Sequence, residues 1–569
     1  MIKFKENKNL VLAIFISIII FLSLLRLYIG SNLQLWFVTT AQCDDLLMLD
    51  YSILTDHFTH WNYNSLVKDM SYSIFLAFVK FSTIPYSVWL SVLWIISALL
   101  VAYAIYKFLT KNKIAILLSF VFILFAPIGF DIATGLRIYR HAIMPPATLI
   151  CLTSLFIFLN YTFKGFNWTT VIWGIFSGLA FSFNYYIKED GVMFLPILII
   201  TVLCVIIVNL YKSNKKTILD NVKIIAVCLL PLIIFAGTTV AYEQVNNHYF
   251  GISKINTRTD GELGEFYHIL LKIDDKNKTS EILVPPSTIE KAFNASPTLK
   301  SHPELFNQWM KTPWAGGDLY TNNLAGDIIA WSLRISLSQA GLFNSEIEAD
   351  NFFKQVNTEL NQALDNGTLQ KSDKIFITDS LNGKDINEIY SLKTAIINGL
   401  NINLFYEYVR ATQKPVDNGV DISSQLVSND RVNFAESIVN EEIPTNNELT
   451  NTEKSAIHFA ELDIFAYHYS SYIIVLLTVL GFFALFISQI KNRFKDRQLN
   501  LLLLYEIMLL GTFLVQIFAI AWFTSWINQP TIDRMEYYTS GCQAIFALFE
   551  TLAIIGGFVV FQKRRGSLL

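Results

Sequence analysis

Four clusters of ionisable residues stand at the ends of long apolar runs. They are Asp44 and Asp45 in QCDDLLMLDYSI, Arg137, Arg140 and His141 in GLRIYRH, Lys188, Glu189 and Asp190 in YYIKEDG, and Asp533, Arg534 and Glu536 in TIDRMEYY. An unpaired charge bordering a bilayer costs roughly a few kcal/mol, so such groups are kept where they pair with one another or meet a ligand. Arg137 and Arg140 are three apart and share one side of a helical turn. Two guanidinium groups so placed suit a phosphate, which they grip through parallel hydrogen bonds. With acids alongside, the pattern is that of a site for a lipid-linked phosphate with a base nearby. Each cluster alone has a plainer reading: solvated acids, arginines that snorkel to headgroups, or a polar turn closed by its own ion pair. Four clusters on one face of the membrane carry the argument, because the loops on the other face hold no comparable mixed-charge groups.

The elements that position them are membrane helices. Only 16% of the 569 residues are charged and mean hydropathy is +0.42, whereas a soluble domain carries about a quarter charged residues. Ten apolar runs are near the length of roughly 20 residues that crosses a bilayer: 10–30, 86–107, 114–130, 142–160, 168–186, 192–211, 222–242, 471–490, 499–526 and 541–561. The first ends in Leu25-Arg26-Leu27-Tyr28 without a small-residue cleavage site and reads as an anchor, not a signal peptide. With the N-terminus inside, short cytoplasmic segments hold 18 Lys and Arg residues and the opposite segments seven, as the positive-inside bias requires. Nothing in the charge balance points to nucleic acid.

The expectation is therefore an all-α polytopic membrane protein in three parts. Residues 1–243 form a seven-helix block whose first outer loop, 31–85, carries Asp44 and Asp45. Residues 244–470 form a mainly helical extracytoplasmic insert, and 471–569 return three helices and a basic cytoplasmic tail. In the first loop, 44–55 reads as a short helix and 71–82 as an interfacial amphipathic one. In the insert, 329–342, 352–364 and 386–411 carry helical spacing, 453–470 leads into the eighth crossing, and 284–303 and 413–450 read as loops. None of the five cysteines falls in the insert. An outer domain without disulfides fits a bacterial plasma membrane, and the Lys- and Asn-rich composition fits an AT-rich genome.

This arrangement resembles the GT-C superfamily of membrane glycosyltransferases, in particular the polyprenyl-phosphate-sugar-dependent branch related to protein O-mannosyltransferases. Asp44-Asp45 matches the acidic pair of that family's first outer loop. Lys188-Glu189-Asp190-Gly191 matches a basic–acidic–Gly element before a central helix, and Arg534 with Tyr537 and Tyr538 is a loose counterpart of a late Arg-Tyr element. The likeness covers about 1–210 and 520–560 in organisation, not in residue identity. Met535 and Glu536 interrupt the Arg-Tyr element, and the first loop has no His-Pro-Pro motif.

The resemblance implies inverting transfer of a sugar from a polyprenyl-phosphate donor to an envelope acceptor: a glycan, a lipid or a teichoic-acid-like polymer. Asp44 would be the base, with Asp45 orienting it or the acceptor. Arg137, Arg140, His141, Lys188 and Arg534 would bind the donor phosphate, and Glu189 and Asp190 the sugar or the cations. A monophosphate leaving group requires no metal, and a divalent ion is compatible with the site. Two other classes compete. A transporter or flippase of lipid-linked glycans would place polar groups near the bilayer midplane, where Glu506 and Glu550 are the candidates. A non-catalytic receptor would act through the insert.

Overall fold

The computed structural model describes residues 8–38, 42–165, 167–211, 218–311, 326, 328–412, 429–444, 449–526 and 532–566, and among them every regular element is helical. The membrane block starts with α1 (Lys8–Gly30), two short first-loop helices α2 (Leu47–Ser52) and α3 (Leu54–Thr59), and α4 (Ser71–Ser82). It continues with α5 (Tyr86–Ala104), α6 (Lys113–Leu124), α7 (Met144–Lys164), α8 (Trp168–Tyr185), α9 (Leu195–Tyr211), α10 (Ile218–Cys228) and α11 (Leu230–Phe250). Eight helices follow: α12 (Gly261–Lys272), α13 (Pro286–Ala295), α14 (Pro297–Lys300), α15 (Pro303–Lys311), α16 (Ile328–Gln339), α17 (Glu346–Asp365), α18 (Ile386–Phe405) and α19 (Asn429–Val439). The chain closes with α20 (Asn451–Lys491), α21 (Arg497–Thr524) and α22 (Ile532–Gly566).

Seven of the described helical stretches are long and apolar enough to cross a membrane, and an eighth span is available if the bent pair α10–α11 counts as one. In hydrocarbon every backbone polar group must be satisfied within the segment, which is why these apolar runs close as helices. Of the ten runs expected to span, 168–186 forms α8 but is not among the seven, and two others are broken. The run 114–130 stops as a helix at Leu124, because Ala126 adopts the extended backbone favoured before a proline and Pro127 begins a separate 3₁₀ turn to Phe130. The run 222–242 is interrupted ahead of Pro231 and bends by 57°. Hydropathy alone registers neither break.

Other local readings meet the structure more closely. The 453–470 segment and the eighth crossing are one unbroken 41-residue helix, capped where Thr450 and Glu453 satisfy each other's backbone donors. Residues 44–55 are helical in two short pieces preceded by a π turn over Gln42–Leu46. In α4, Tyr72, Phe75, Leu76 and Val79 are buried while Ile74, Phe78 and Phe81 are exposed. The stretch 284–303 is not a loop: α13 and α14 occupy it, each starting on a proline that costs no helical hydrogen bond at that position. Within 413–450, 429–439 is helical, and 413–428 and 445–448 lie outside the described residues.

Packing brings the C-terminal helices against the N-terminal block. Where α20 crosses α22, a Cβ added to Gly557 would lie 2.6 Å from the Cα of Gly481, so only small residues permit that backbone approach. The helices after α11 have a second core built on Phe266, Leu270, Trp309, Leu333, Phe353 and Leu360. One buried polar knot fastens this layer to the first loop. Arg334 and Glu346, each 1% exposed, pair at 2.9 Å, and Arg334 Nε donates to the Tyr63 carbonyl at 2.7 Å. Thr257 donates its N–H to Leu66 O at 2.7 Å and its hydroxyl to Glu346 at 2.8 Å. That knot fixes the chain at 257–258 over the membrane block.

Candidate functional site

The first and second loops are stitched together by backbone. Trp36 N donates to Leu136 O at 3.0 Å and Ile138 N to Trp36 O at 2.9 Å, a parallel bridge centred on Arg137. Across this stitch Arg137 donates Nη2 to Asp45 Oδ1 at 2.5 Å and Nε to both Asp45 oxygens at 3.0 and 3.1 Å. Asp45 has no exposed surface, and the Arg137 guanidinium lies 5.1 to 5.2 Å from the ring centres of Trp36, Tyr139 and Tyr537. Burial acts to strip the Arg137 proton, but the Asp45 charge outweighs it and holds the guanidinium charged. This is a pin between two loops.

One turn away the side chains open onto a cavity of about 700 Å³. Asp44 Oδ1 accepts from Lys68 Nζ and from the Tyr139 hydroxyl, both at 2.8 Å. Arg140 Nη1 lies 2.8 Å from Glu189 Oε2, and the other oxygen of Glu189 accepts from Arg258 Nη2 at 2.9 Å. Lys188 Nζ donates to Asp190 Oδ2 at 3.0 Å. Arg140 also keeps a buried Nε with no hydrogen-bond acceptor among the described residues, and its Nη1 meets Glu189 as an ion pair without hydrogen-bond alignment. The turn that carries Lys188 and Glu189 requires Gly191, since a Cβ there would collide with the backbone of Tyr185.

Burial raises the Asp44 carboxyl, but Lys68, Arg140 and the hydrogen bonds from Lys68 and Tyr139 outweigh it and hold Asp44 well below the usual carboxylate range. Asp69, on the same wall, moves the other way: burial and then the neighbouring Glu189 carboxylate push it up to about 7, against the pull of Arg140 and Arg258. His141 is fully buried, and burial followed by the surrounding Lys188, Arg140, Arg137 and Lys68 charges keeps it neutral. Its ring packs 4.0 Å from that of Tyr537.

Of the residues singled out by sequence, Asp44, Arg140, Lys188, Glu189 and Asp190 line the cavity together. Asp45 and Arg137 stand behind it, consumed by each other, and His141 stands behind it in an aromatic stack. The described geometry thus gives Arg137 an acid where a phosphate was expected. The side chains of Asp533 and Arg534 lie outside the described residues. Glu536 is buried and is not on the cavity wall.

Sequence reading passed over Lys68, Asp69, Tyr139, Arg258 and Trp331, all on the wall. Lys68-Asp69 left a signal, a charged pair directly before the amphipathic 71–82 segment; Arg258, in NTRTDG, left none. The wall is amphiphilic. Beside its charges it carries Trp331, Tyr537 and Tyr538, together with Val192, Met193, Ala519, Ile520 and Phe523 at the ends of two apolar spans. Among the described residues no group of three or more His, Cys, Asp or Glu side chains is arranged as a metal site; the acids face cations.

The chain matches no family model, no curated protein and no solved structure.

Proposed function

We propose that this chain is a GT-C-like glycosyltransferase of a bacterial plasma membrane. It moves a sugar, with inversion, from a polyprenyl-phosphate donor to an envelope glycan, lipid or teichoic-acid-like acceptor on the outer face. In this reading ten crossings are made by the seven long spans, the bent α10–α11 pair, α6 with its Pro127 turn, and α8. Both ends lie in the cytoplasm, and the segment between α11 and α20 covers the outer mouth.

The observation that carries the proposal is the cavity. A single pocket joins carboxylates to four cations, Lys68, Arg140, Lys188 and Arg258, and is also lined by apolar residues at the ends of two membrane helices. A lipid-linked phosphate has that same split character. The cations stabilise charge on the departing phosphate, worth most in a water-poor site. A carboxylate of the first loop takes the acceptor's proton, and Trp331, Tyr537 and Tyr538 offer faces for a sugar ring. Asp45 and Arg137 hold the loops in register, and no metal is needed to release a monophosphate.

The test compares envelope glycans in cells with the protein, without it, and with Asp44→Asn or Arg140→Gln in its place at equal membrane levels. Loss of one glycosidic linkage on deletion, unrestored by either variant, is the expected result. An unchanged envelope on deletion sinks the reading.

One feature favours a transporter instead. Glu506 and Glu550 are fully buried in α21 and α22, and their carboxyl oxygens have no hydrogen-bond partner among the described residues. Both helices run unbroken through those positions, whereas transporter sites typically interrupt their helices. A transporter would move lipid-linked glycan across the bilayer and create no new glycosidic bond.

A further inference from the structure

Of the six acids on the cavity wall, Asp69 and Glu243 have no ion pair among the described residues, and of these two Asp69 alone is buried, while Asp260 pairs with Lys254. Asp44 is gripped by Lys68 and Tyr139, Glu189 is shared by Arg140 and Arg258, and Asp190 holds Lys188. Asp69 lines the same cavity, is 6% exposed, and has no ion-pair partner among the described residues. Asn256 stands beside it as a weak hydrogen-bond neighbour, its amide short of full alignment. The charged groups that face it are Glu189 from the α8–α9 turn, Arg140 from the second loop and Arg258 from the segment after α11, with Lys68 next to it in the chain. Tyr185, Tyr186 and Tyr242 lie near enough to feel its charge.

A base that accepts a proton in the transition state works best when its own affinity for protons sits near the working pH. Two acids whose surroundings drive them apart divide such roles. Asp44, held far down by Lys68, stays ionised and makes a poor proton acceptor. Asp69, held near neutrality and free of a cation, is suited to accept and release.

We propose that Asp69 takes the acceptor's proton, and that Asp44 is a positioning anion that fixes Lys68 beside the donor phosphate. This rests on the sugar-transfer reading above. The acceptor oxygen bonds to the anomeric carbon as the bond from that carbon to the phosphate oxygen breaks. The bonding pair leaves on the phosphate, the polyprenyl phosphate departs, and the hydroxyl proton passes to a carboxylate oxygen of Asp69. Asp69 then gives the proton to water.

Two measurements test it, both on the full chain in lipid. Infrared difference spectra between pH 5 and pH 9 are expected to show carboxyl intensity titrating near neutrality that is reduced in Asp69→Asn and unchanged in Asp44→Asn. In cells lacking the wild-type chain, Asp69→Asn at normal membrane level is expected to lower the restored linkage by a factor of about 10² or more, with Asp69→Glu recovering part of it. If Asp69→Asn does not reach the membrane, Asp69→Ala in isolated membranes replaces it, with added formate restoring transfer. The inference is overturned if Asp69→Asn leaves the near-neutral carboxyl intensity undiminished, if that variant restores the linkage fully, or if formate fails to rescue Asp69→Ala. Full restoration by Asp69→Asn alongside failure of Asp44→Asn would remove Asp69 and leave sugar transfer standing. A deletion with no change in any envelope linkage would remove both.

Discussion

If Asp45 and Arg137 form a pin and take no part in chemistry, their stability effects must be strongly coupled. At 2.5 Å and an effective dielectric constant of about 20, the attraction between two unit charges is about 7 kcal/mol. Burying both ions costs several kcal/mol each, so the intact pair contributes little net stability. Removing one partner is a different matter. Asp45→Ala strands a guanidinium that is 8% exposed, and a stranded buried charge of this kind costs about 3–5 kcal/mol. Arg137→Met strands Asp45, which has no exposed surface, at similar cost. The double variant strands nothing, and its stability is expected to lie above that of either single variant.

The assay is equilibrium unfolding of the purified full-length chain in mixed micelles with increasing SDS, followed by tryptophan fluorescence, for the wild type, both single variants and the double. A coupling energy of at least about 2 kcal/mol is expected between the sites. Envelope complementation at equal membrane levels separates stability from chemistry: the double variant should restore more linkage than either single. Additive losses, or an Asp45→Ala variant as stable as the wild type, would refute the pin and return Asp45 and Arg137 to the list of reacting groups.

Three further outcomes follow from the same geometry. Asp69 holds its proton more tightly in the folded state, at about 7 against an ordinary 3.8, so the folded chain binds more protons than the unfolded one between those values. Stability should therefore fall as pH rises from about 4 to 7, and Asp69→Asn should flatten that slope in unfolding midpoints taken at pH 5 and pH 8. Asp44, shifted down, contributes in the opposite sense: its share is present above its ordinary value and lost as acid protonates it. Arg334→Met is expected to cost about 3–5 kcal/mol, because it leaves Glu346 buried at 1% exposure, and to open the stretch around Arg258 to proteolysis; an unchanged digestion pattern would show that the Arg334 knot does not fasten this layer. In a cysteine-free background, Lys300→Cys should react with an impermeant thiol reagent on intact cells and Lys495→Cys only after permeabilisation, and the reverse pattern would overturn the proposed orientation.

The helical framework was legible because it is written locally. Apolar runs near bilayer length and the helical spacing of 352–364 each depend on neighbours within a turn or two. The breaks were less legible. Pro127 stops α6 through backbone chemistry that a hydropathy window averages away, and the prolines of 284–303 start helices that their composition disguised as loop. At the site, three of the four charged clusters contribute side chains to the cavity wall, while in the fourth Glu536 is off the wall and the side chains of Asp533 and Arg534 lie outside the described residues. The roles within each cluster were beyond the sequence, because they depend on which cation meets which acid. Arg137 finds Asp45 across 92 residues and Arg258 finds Glu189 across 69, and pairings at that range leave no local trace. Arg258 was invisible for that reason, whereas Lys68-Asp69 was in plain view, directly before the amphipathic 71–82 segment.

The pairing pattern also bears on what kind of ligand the cavity accepts. On its wall Lys68 has Asp44, Lys188 has Asp190, and Arg140 and Arg258 divide Glu189. A site whose sole task was to bind an anion would leave its cations uncompensated, since every acid beside them subtracts affinity. Here acids hold each cation at a fixed place, and binding strength is given up for position. That exchange makes sense where a charge must be met at one point in the course of a reaction, because groups already oriented need no rearrangement when charge develops. It makes little sense for a receptor that recognises a headgroup through the insert alone, since the cations come from the first loop, the second loop, the α8–α9 turn and the segment after α11 together. The same pairing explains why the site draws on several loops: Lys188 and Asp190 pair within one turn, but Asp44 meets Lys68 across the first loop and Glu189 meets Arg140 and Arg258 from two other segments, so those charges neutralise only when the segments have assembled.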